Sequence, residues 1–222
     1  PKYSKVSKKV TLVDQSSDGE KLIAKSDCIG CHKIDKKLIG PSYLEIAKKY
    51  KVKIIKEKRQ GIIFARNAGF NAVKYEIIAR CDADTIVPKD WIKKIKQNFS
   101  DKNIDGLTGP AFFYDLPFPT RFFTMAYLKG MKIIQKGKNT LIGPNMAIRK
   151  KVWEKIKNKI CLDDKKVHED IDLAIHISQV GGKIYLDDNL VVKISARRIK
   201  NNPTSFFIEY PIRLIKTLAA HQ

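Results

Sequence analysis

Residues 76–85 read Glu-Ile-Ile-Ala-Arg-Cys-Asp-Ala-Asp-Thr, an apolar run that ends in two carboxylates, Asp82 and Asp84, one residue apart. A run this short and apolar reads as a buried strand. A strand ending in Asp-x-Asp sets both acids at the carboxyl edge of a sheet, where open α/β folds keep their ligands. Two acids so placed favour a cation. Asp is also common in turns, so the pair alone carries little weight and its flanks have to decide. Cys81, inside the stretch, reads as a small core residue.

Upstream lies Gly61-Ile62-Ile63-Phe64-Ala65-Arg66-Asn67-Ala68-Gly69, then Asn71-Ala72; downstream lies Val87-Pro88-Lys89-Asp90-Trp91-Ile92. The first segment reads as a helix with small Ala65, Ala68 and Ala72 for close packing. The second opens another helix, with Pro in its first turn and Trp91, Ile92 and Ile95 on one side. Taken together, residues 45–100 resemble the donor-binding half of a family 2 glycosyltransferase, and the likeness extends over residues 45–222. It implies an α/β fold of GT-A type, a Rossmann-like mixed central sheet flanked by helices. It also implies a divalent metal, Mn2+ or Mg2+, held by Asp82 and Asp84 against a nucleotide-sugar donor, a UDP-sugar by expectation. Arg66 either reaches the diphosphate or caps neighbouring loops.

Residues 9–19, Lys-Val-Thr-Leu-Val-Asp-Gln-Ser-Ser-Asp-Gly, resemble the family's second strand and nucleoside loop. That makes Asp14 and Asp18 donor contacts, although Gln15 departs from the pattern. The family's first strand is missing, so the expected fold is N-terminally incomplete. After a short helix at residues 44–50, Val52-Lys53-Ile54-Ile55 reads as a further strand.

The second acidic motif is His168-Glu169-Asp170-Ile171-Asp172-Leu173, opening a helix that ends at Gly181-Gly182. Acids in a first turn are stabilised by the helix dipole, so capping alone would account for them. An inverting transfer, however, needs a carboxylate that takes the acceptor hydroxyl proton while a metal stabilises the departing diphosphate. The resemblance assigns Asp170 as that base, with Glu169 beside it. Residues 141–149 followed by Val152-Trp153 resemble the family's acceptor-side strand and helix. Val191-Val192-Lys193-Ile194 reads as a strand running into Arg197 and Arg198, which either bind phosphate bidentately or are surface charge.

Cys28-Ile29-Gly30-Cys31-His32 is the attachment signature of c-type haem, in which the two thiols bind the porphyrin and His32 becomes the iron ligand. With the preceding helix and Ile39-Gly40-Pro41-Ser42-Tyr43, residues 19–50 are similar to the first half of a small bacterial cytochrome c. No second Cys or His pair lies nearby to complete a zinc site, and the surroundings are not those of a thioredoxin-like pair. A working haem site competes with an inert remnant. The remnant is favoured because Met125, Met131 and Met146 all fall in the transferase-like part, leaving no distal Met near the motif. Haem attachment and nucleotide-sugar supply also belong to different compartments. The expected organisation is an N-terminal strand and loop at 1–19, a small helical cytochrome-like insertion at 20–44, and a catalytic domain at 45–222.

With 44 Lys and Arg against 23 Asp and Glu, the chain carries a formal charge of +21. Such charge favours polyanions. Because the Lys residues are spread throughout and no aromatic-basic nucleic-acid motif occurs, nucleic acid is not an expected partner. No run of about 18 apolar residues is present. The aromatic stretch around Phe112, Phe113, Phe122 and Phe123 and the amphipathic segment 206–216 suggest contact with an anionic membrane surface. The resemblance implies a polysaccharide, lipid or protein acceptor, with a glycan or a lipid phosphate as the expected partner, and the expected location is the cytoplasmic face of a membrane.

Overall fold

The computed structural model describes residues 43–117 and 120–221. The chain divides into two compact units, residues 1–60 and 61–222. In the first, the described residues form helix α1 (Tyr43–Tyr50). The strand expected at 52–55 does not form: Val52, Ile54 and Ile55 are exposed in irregular chain. Four strand-prone residues need a neighbouring ladder, and none is provided among the described residues of this unit. Asp14, Asp18, Cys28, Cys31 and His32 lie outside the described residues.

The second unit is built on a mixed sheet. Its strands are β1 (Ile77–Arg80), β2 (Gly106–Thr108), β4 (Met146–Arg149) and β5 (Ile184–Leu186), in the order β1-β4-β2-β5. β4 runs antiparallel to both neighbours, and β2 pairs with β5 in parallel. β3 (Ala111–Phe113) and β6 (Val192–Ile194) form a separate parallel pair. All four residues of β4 are buried: Met146, Ala147 and Ile148 as a central strand covered on both faces requires, and Arg149 against backbone carbonyls.

The pleat sends alternate residues of β4 into two cores. Met146 and Ile148 join Ile78, Phe70, Trp153, Leu173 and Ile177 on one face. Helices α2 (Ile62–Ala72), α5 (Lys150–Ile156) and α6 (Glu169–Gln179) cover that face. Ala147 joins Leu107, Trp91, Ile95, Phe99 and Leu128 on the other, under α3 (Trp91–Asn98) and α4 (Arg121–Ile134). The mixed α/β sheet flanked by helices expected from the sequence is what forms. α7 (Arg197–Asn201), a π-helical turn at Ser205–Glu209 and α8 (Tyr210–Ala219) follow β6.

Three local expectations change. β1 stops at Arg80, so Cys81 lies beyond the strand and is exposed rather than part of the core. α3 begins at Trp91, not in the Pro88 turn, and Ile92 faces solvent while Trp91 and Ile95 pack inward. Such a short helix turns only two of those three residues to the core. β6 ends at Ile194, so Arg197 and Arg198 sit on a short helix instead of at a strand end.

Candidate active site

The acidic residues of the two motifs converge because two arginines join them. Arg80 closes β1, and its guanidinium donates to Glu169 Oε1 at 2.5 Å and to Asp82 Oδ1 at 3.3 Å. One side chain thus ties the acids after β1 to the first turn of α6. On the other side of Glu169, Arg66 of α2 donates to Oε2 and to the backbone carbonyl of Glu169, both at 2.6 Å. Arg66 also binds Asn67 Oδ1 at 3.0 Å. Its side chain is 1% exposed, so the residue expected beside a diphosphate instead clamps Glu169. A buried ion pair of this kind needs every hydrogen-bonding position filled, and here both guanidiniums share one carboxylate.

Asp170, next to Glu169, is held by backbone N–H groups instead of arginines. Its Oδ2 accepts from the backbone N–H of Gly143 at 2.9 Å and its Oδ1 from that of Ile171 at 2.9 Å. Burial, with the neighbouring Glu169 charge adding to it, pushes its carboxyl up to about 6. The two N–H donors and Arg80 act in the opposite direction but do not cancel the desolvation. A Cβ on Gly143 would lie 3.1 Å from an Arg80 nitrogen, so the guanidinium would have to give by a few tenths of an ångström. Tyr127 of α4 stands near this carboxylate; burial first and the Asp170 charge second raise its hydroxyl.

Asp82 and Asp84 are more open, with side chains 44% and 37% exposed. Burial raises the Asp82 carboxyl, opposed by Arg80 and reinforced by the charges of Asp84 and Glu169. Two all-oxygen donors that repel each other at an open edge fit a hard divalent cation such as Mg2+ or Mn2+. Arg197 of α7 reaches Asp84 at 3.7 Å. Arg198 turns away instead, bonding the Tyr210 hydroxyl and lying over its ring.

The surrounding scaffold is locked by buried polar groups. Asn145 accepts from Trp91 Nε1 at 2.9 Å and donates to the Leu190 carbonyl at 2.5 Å, joining α3 to the loop before β6. Helix α2, which carries Arg66, begins after Gly61 at φ 133°, a conformation other residues rarely adopt. Asp164 accepts the exposed Ile62 N–H at 3.3 Å, capping that helix from a distant loop. Sequence reasoning missed Arg80, Gly143, Tyr127 and Asn145 as site residues. A cation two residues before Asp82 was the one available signal for Arg80.

A family model described as "Glycosyl transferase family 2" matches residues 41–157, just over half the chain and including Arg66, Arg80, Asp82 and Asp84. Among solved structures, the chain is similar to a mannosyltransferase, PcManGT from Pyrobaculum calidifontis, in complex with GDP-Man and Mn2+. The match has a TM-score of 0.60 at 15% identity and covers 80% of this chain and 49% of that one. It supports the GT-A type fold. Among curated proteins, cytochrome c-551 from Pseudomonas denitrificans is 47% identical over 34 residues, which are 15% of this chain and 42% of that protein. In each case the chain spans less than half of the protein it matches. The family match, the mixed sheet and the converging acid motifs lead to one conclusion: the chain belongs to glycosyl transferase family 2.

Proposed function

We propose that this protein is a metal-dependent, inverting glycosyltransferase that moves a hexose from a nucleoside-diphosphate sugar to a hydroxyl acceptor. The observation that supports the reading is Arg80, whose bonds to Asp82 and Glu169 tie the segment carrying Asp82 and Asp84 to the first turn of α6, where Asp170 follows Glu169. Asp170 takes the acceptor proton. A carboxyl of about 6 is largely ionised at neutral pH and still basic enough to serve. The acceptor oxygen forms its bond to the sugar's anomeric carbon from the face opposite the leaving group. The bond from that carbon to the diphosphate oxygen breaks, and the diphosphate leaves with the electron pair. When bound at Asp82 and Asp84, the metal supplies positive charge for that leaving group. Glu169, held by two arginines, is a positioning residue that sets the first turn of α6. Arg197 exchanges Asp84 for the diphosphate.

The solved neighbour was captured with GDP-Man and Mn2+, so guanosine donors stand beside the uridine donors expected from the sequence. Release of nucleoside diphosphate from UDP- and GDP-sugars, with Mn2+ and glycan or lipid-phosphate acceptors, tests the reading. Turnover should be seen with one donor class and be lost in Asp170→Asn; equal release by that variant contradicts it.

We place the acceptor at an anionic membrane surface. Phe122, Phe123 and Ile133 on α4 and Ile212 and Ile215 on α8 are exposed, and the chain carries a +21 charge. No helix among the described residues is long and apolar enough to cross a membrane. Work at the cytoplasmic face, where such donors are supplied, is part of the proposal. Flotation with anionic vesicles should carry the protein upward, and failure to float removes this part.

A second reading is favoured by the likeness to cytochrome c-551: haem carried at Cys28, Cys31 and His32. A pyridine haemochrome spectrum after periplasmic expression would be positive only if haem is attached.

A further inference from the structure

Asp172 lies one helical turn beyond Glu169 and is fully buried. Its Oδ2 accepts the Cys161 backbone N–H at 3.2 Å. Its Oδ1 is approached by two imidazoles: Nε2 of His221, just after α8, at 2.8 Å, and Nε2 of His176 at 3.6 Å. Asp172 and His176 are four apart on α6, the spacing that puts two ligands on one helix face. The two His side chains are only 12% and 10% exposed. Among the described residues, His176 Nδ1 is buried without a hydrogen-bond partner. Its Nε2 stops beyond hydrogen-bonding distance of the carboxylate. Coordination through Nε2 would give that nitrogen a partner, while Nδ1 would carry the ring proton.

We propose that Asp172, His176 and His221 form a second metal site, taking a zinc-type divalent transition ion and pinning the end of α8 to α6. The three ligand atoms lie within 4.8 Å of one another. Two donors around a tetrahedral Zn2+ stand about 3.3 Å apart, given bonds of about 2.0–2.1 Å; the 2.8 and 3.6 Å contacts to Oδ1 lie on either side of that value, and the ion would replace the His221–Asp172 hydrogen bond and draw the three ligand atoms in from their 4.8 Å limit. Two imidazoles and one carboxylate suit such an ion and not the hard cations favoured by Asp82 and Asp84. With Oδ2 occupied by the Cys161 N–H, the carboxylate binds through Oδ1 alone. The fourth position is left to water. The site is independent of the transferase reading, because none of its ligands belongs to the Asp82/Asp84 pair.

The test uses the full chain carrying Asp82→Asn, Asp84→Asn, Cys28→Ser, Cys31→Ser and His32→Gln, which removes the other candidate metal ligands. Equilibrium dialysis against Zn2+ should give one equivalent per chain, and Co2+ in its place should give the visible absorption of a tetrahedral ion. Adding His176→Gln or His221→Gln should weaken binding by at least about tenfold, with circular dichroism establishing that each variant is folded. Zn2+ should also raise the Tm of the parent chain and leave that of the His variants unmoved. No bound equivalent in the folded parent, or equal binding in the His variants, overturns the proposal.

Discussion

Arg149 and Arg80 sit at opposite ends of the same antiparallel strand pair, where Ile77 faces Arg149 and Arg80 faces Met146. Both are largely buried, yet their partners differ in kind. Arg149 donates to the carbonyls of Ile104 at 2.7 Å, Phe99 at 2.8 Å and Asp101 at 2.9 Å. It also meets Glu76 and lies over the Phe99 ring. Arg80 instead binds two carboxylates, Glu169 and Asp82. Three fixed backbone carbonyls hold the Arg149 guanidinium and the exposed Glu76 carboxylate meets it only from the outside, so Arg149 is scaffold. At the other end, Glu169 is buried but Asp82 is part-exposed, so Asp82 can trade a guanidinium for another cation. What an arginine binds, more than how deeply it is buried, separates framework from site.

The widest split between the two ends should come from Asp170→Asn. Turnover is expected to fall about 10³-fold, within the range for losing a general base, and kcat should fall far more than KM rises. The same change removes the pH-dependent cost of burying that charge. Asp170 has a folded pKa of about 6 against an ordinary value of 3.8. Its contribution to stability therefore declines as pH rises from about 4 to about 6, and the full cost remains above that. The Asn amide nitrogen cannot accept one of the two backbone N–H groups that the carboxylate accepts, a loss present at every pH. Relative to the parent chain, the variant should therefore gain about 2–3 kcal/mol between pH 4 and pH 8, read as a Tm difference that moves in its favour over that range. A Tm difference that does not change with pH would mean that the carboxylate is not buried as a charge.

Arg149→Met should do the reverse. Three buried carbonyls lose their donor, while Glu76, whose side chain is 66% exposed, returns to water. A loss of about 3 kcal/mol by urea unfolding is expected, with KM and kcat of the folded fraction unchanged. An altered KM would erase the contrast between the two ends.

Next in size is the acid limb of the pH profile. Because the base must be ionised, kcat/KM should drop about tenfold per pH unit below about 6. A flat profile from pH 5 to 8 would remove Asp170 from the reaction. The smallest effect is expected of Arg197→Ala. Its Asp84 contact at 3.7 Å is long and part-exposed, so donor KM should rise about tenfold through lost phosphate contact with Tm unmoved.

Much of the fold was legible because burial on both faces leaves a plain trace. Residues 77–79 are a short apolar run before the acids, the strand within 141–149 was legible through the family resemblance, and α6 shows its length between an acidic first turn and Gly181-Gly182. Val52-Lys53-Ile54-Ile55 has the same local pattern and forms no strand, since a ladder depends on a partner that local sequence does not encode. In the site, Asp82, Asp84 and Asp170 were legible as acids at element ends. The role of Glu169 was not: its ties to Arg66 and Arg80 join residues 103 and 89 positions apart. Such pairings exist only after the sheet has closed. The Asp172, His176 and His221 cluster was hidden for the same reason, His221 lying 49 positions from Asp172.

The central claim is that Asp82 and Asp84 hold a cation against a donor diphosphate at the edge shared with Asp170. Isothermal titration of GDP-mannose and of UDP-sugars into the full chain, with and without Mn2+, tests it most directly. The account predicts donor binding that requires Mn2+ and is lost in Asp82→Asn/Asp84→Asn. Binding of equal strength without Mn2+, or unchanged in the double variant, would contradict it.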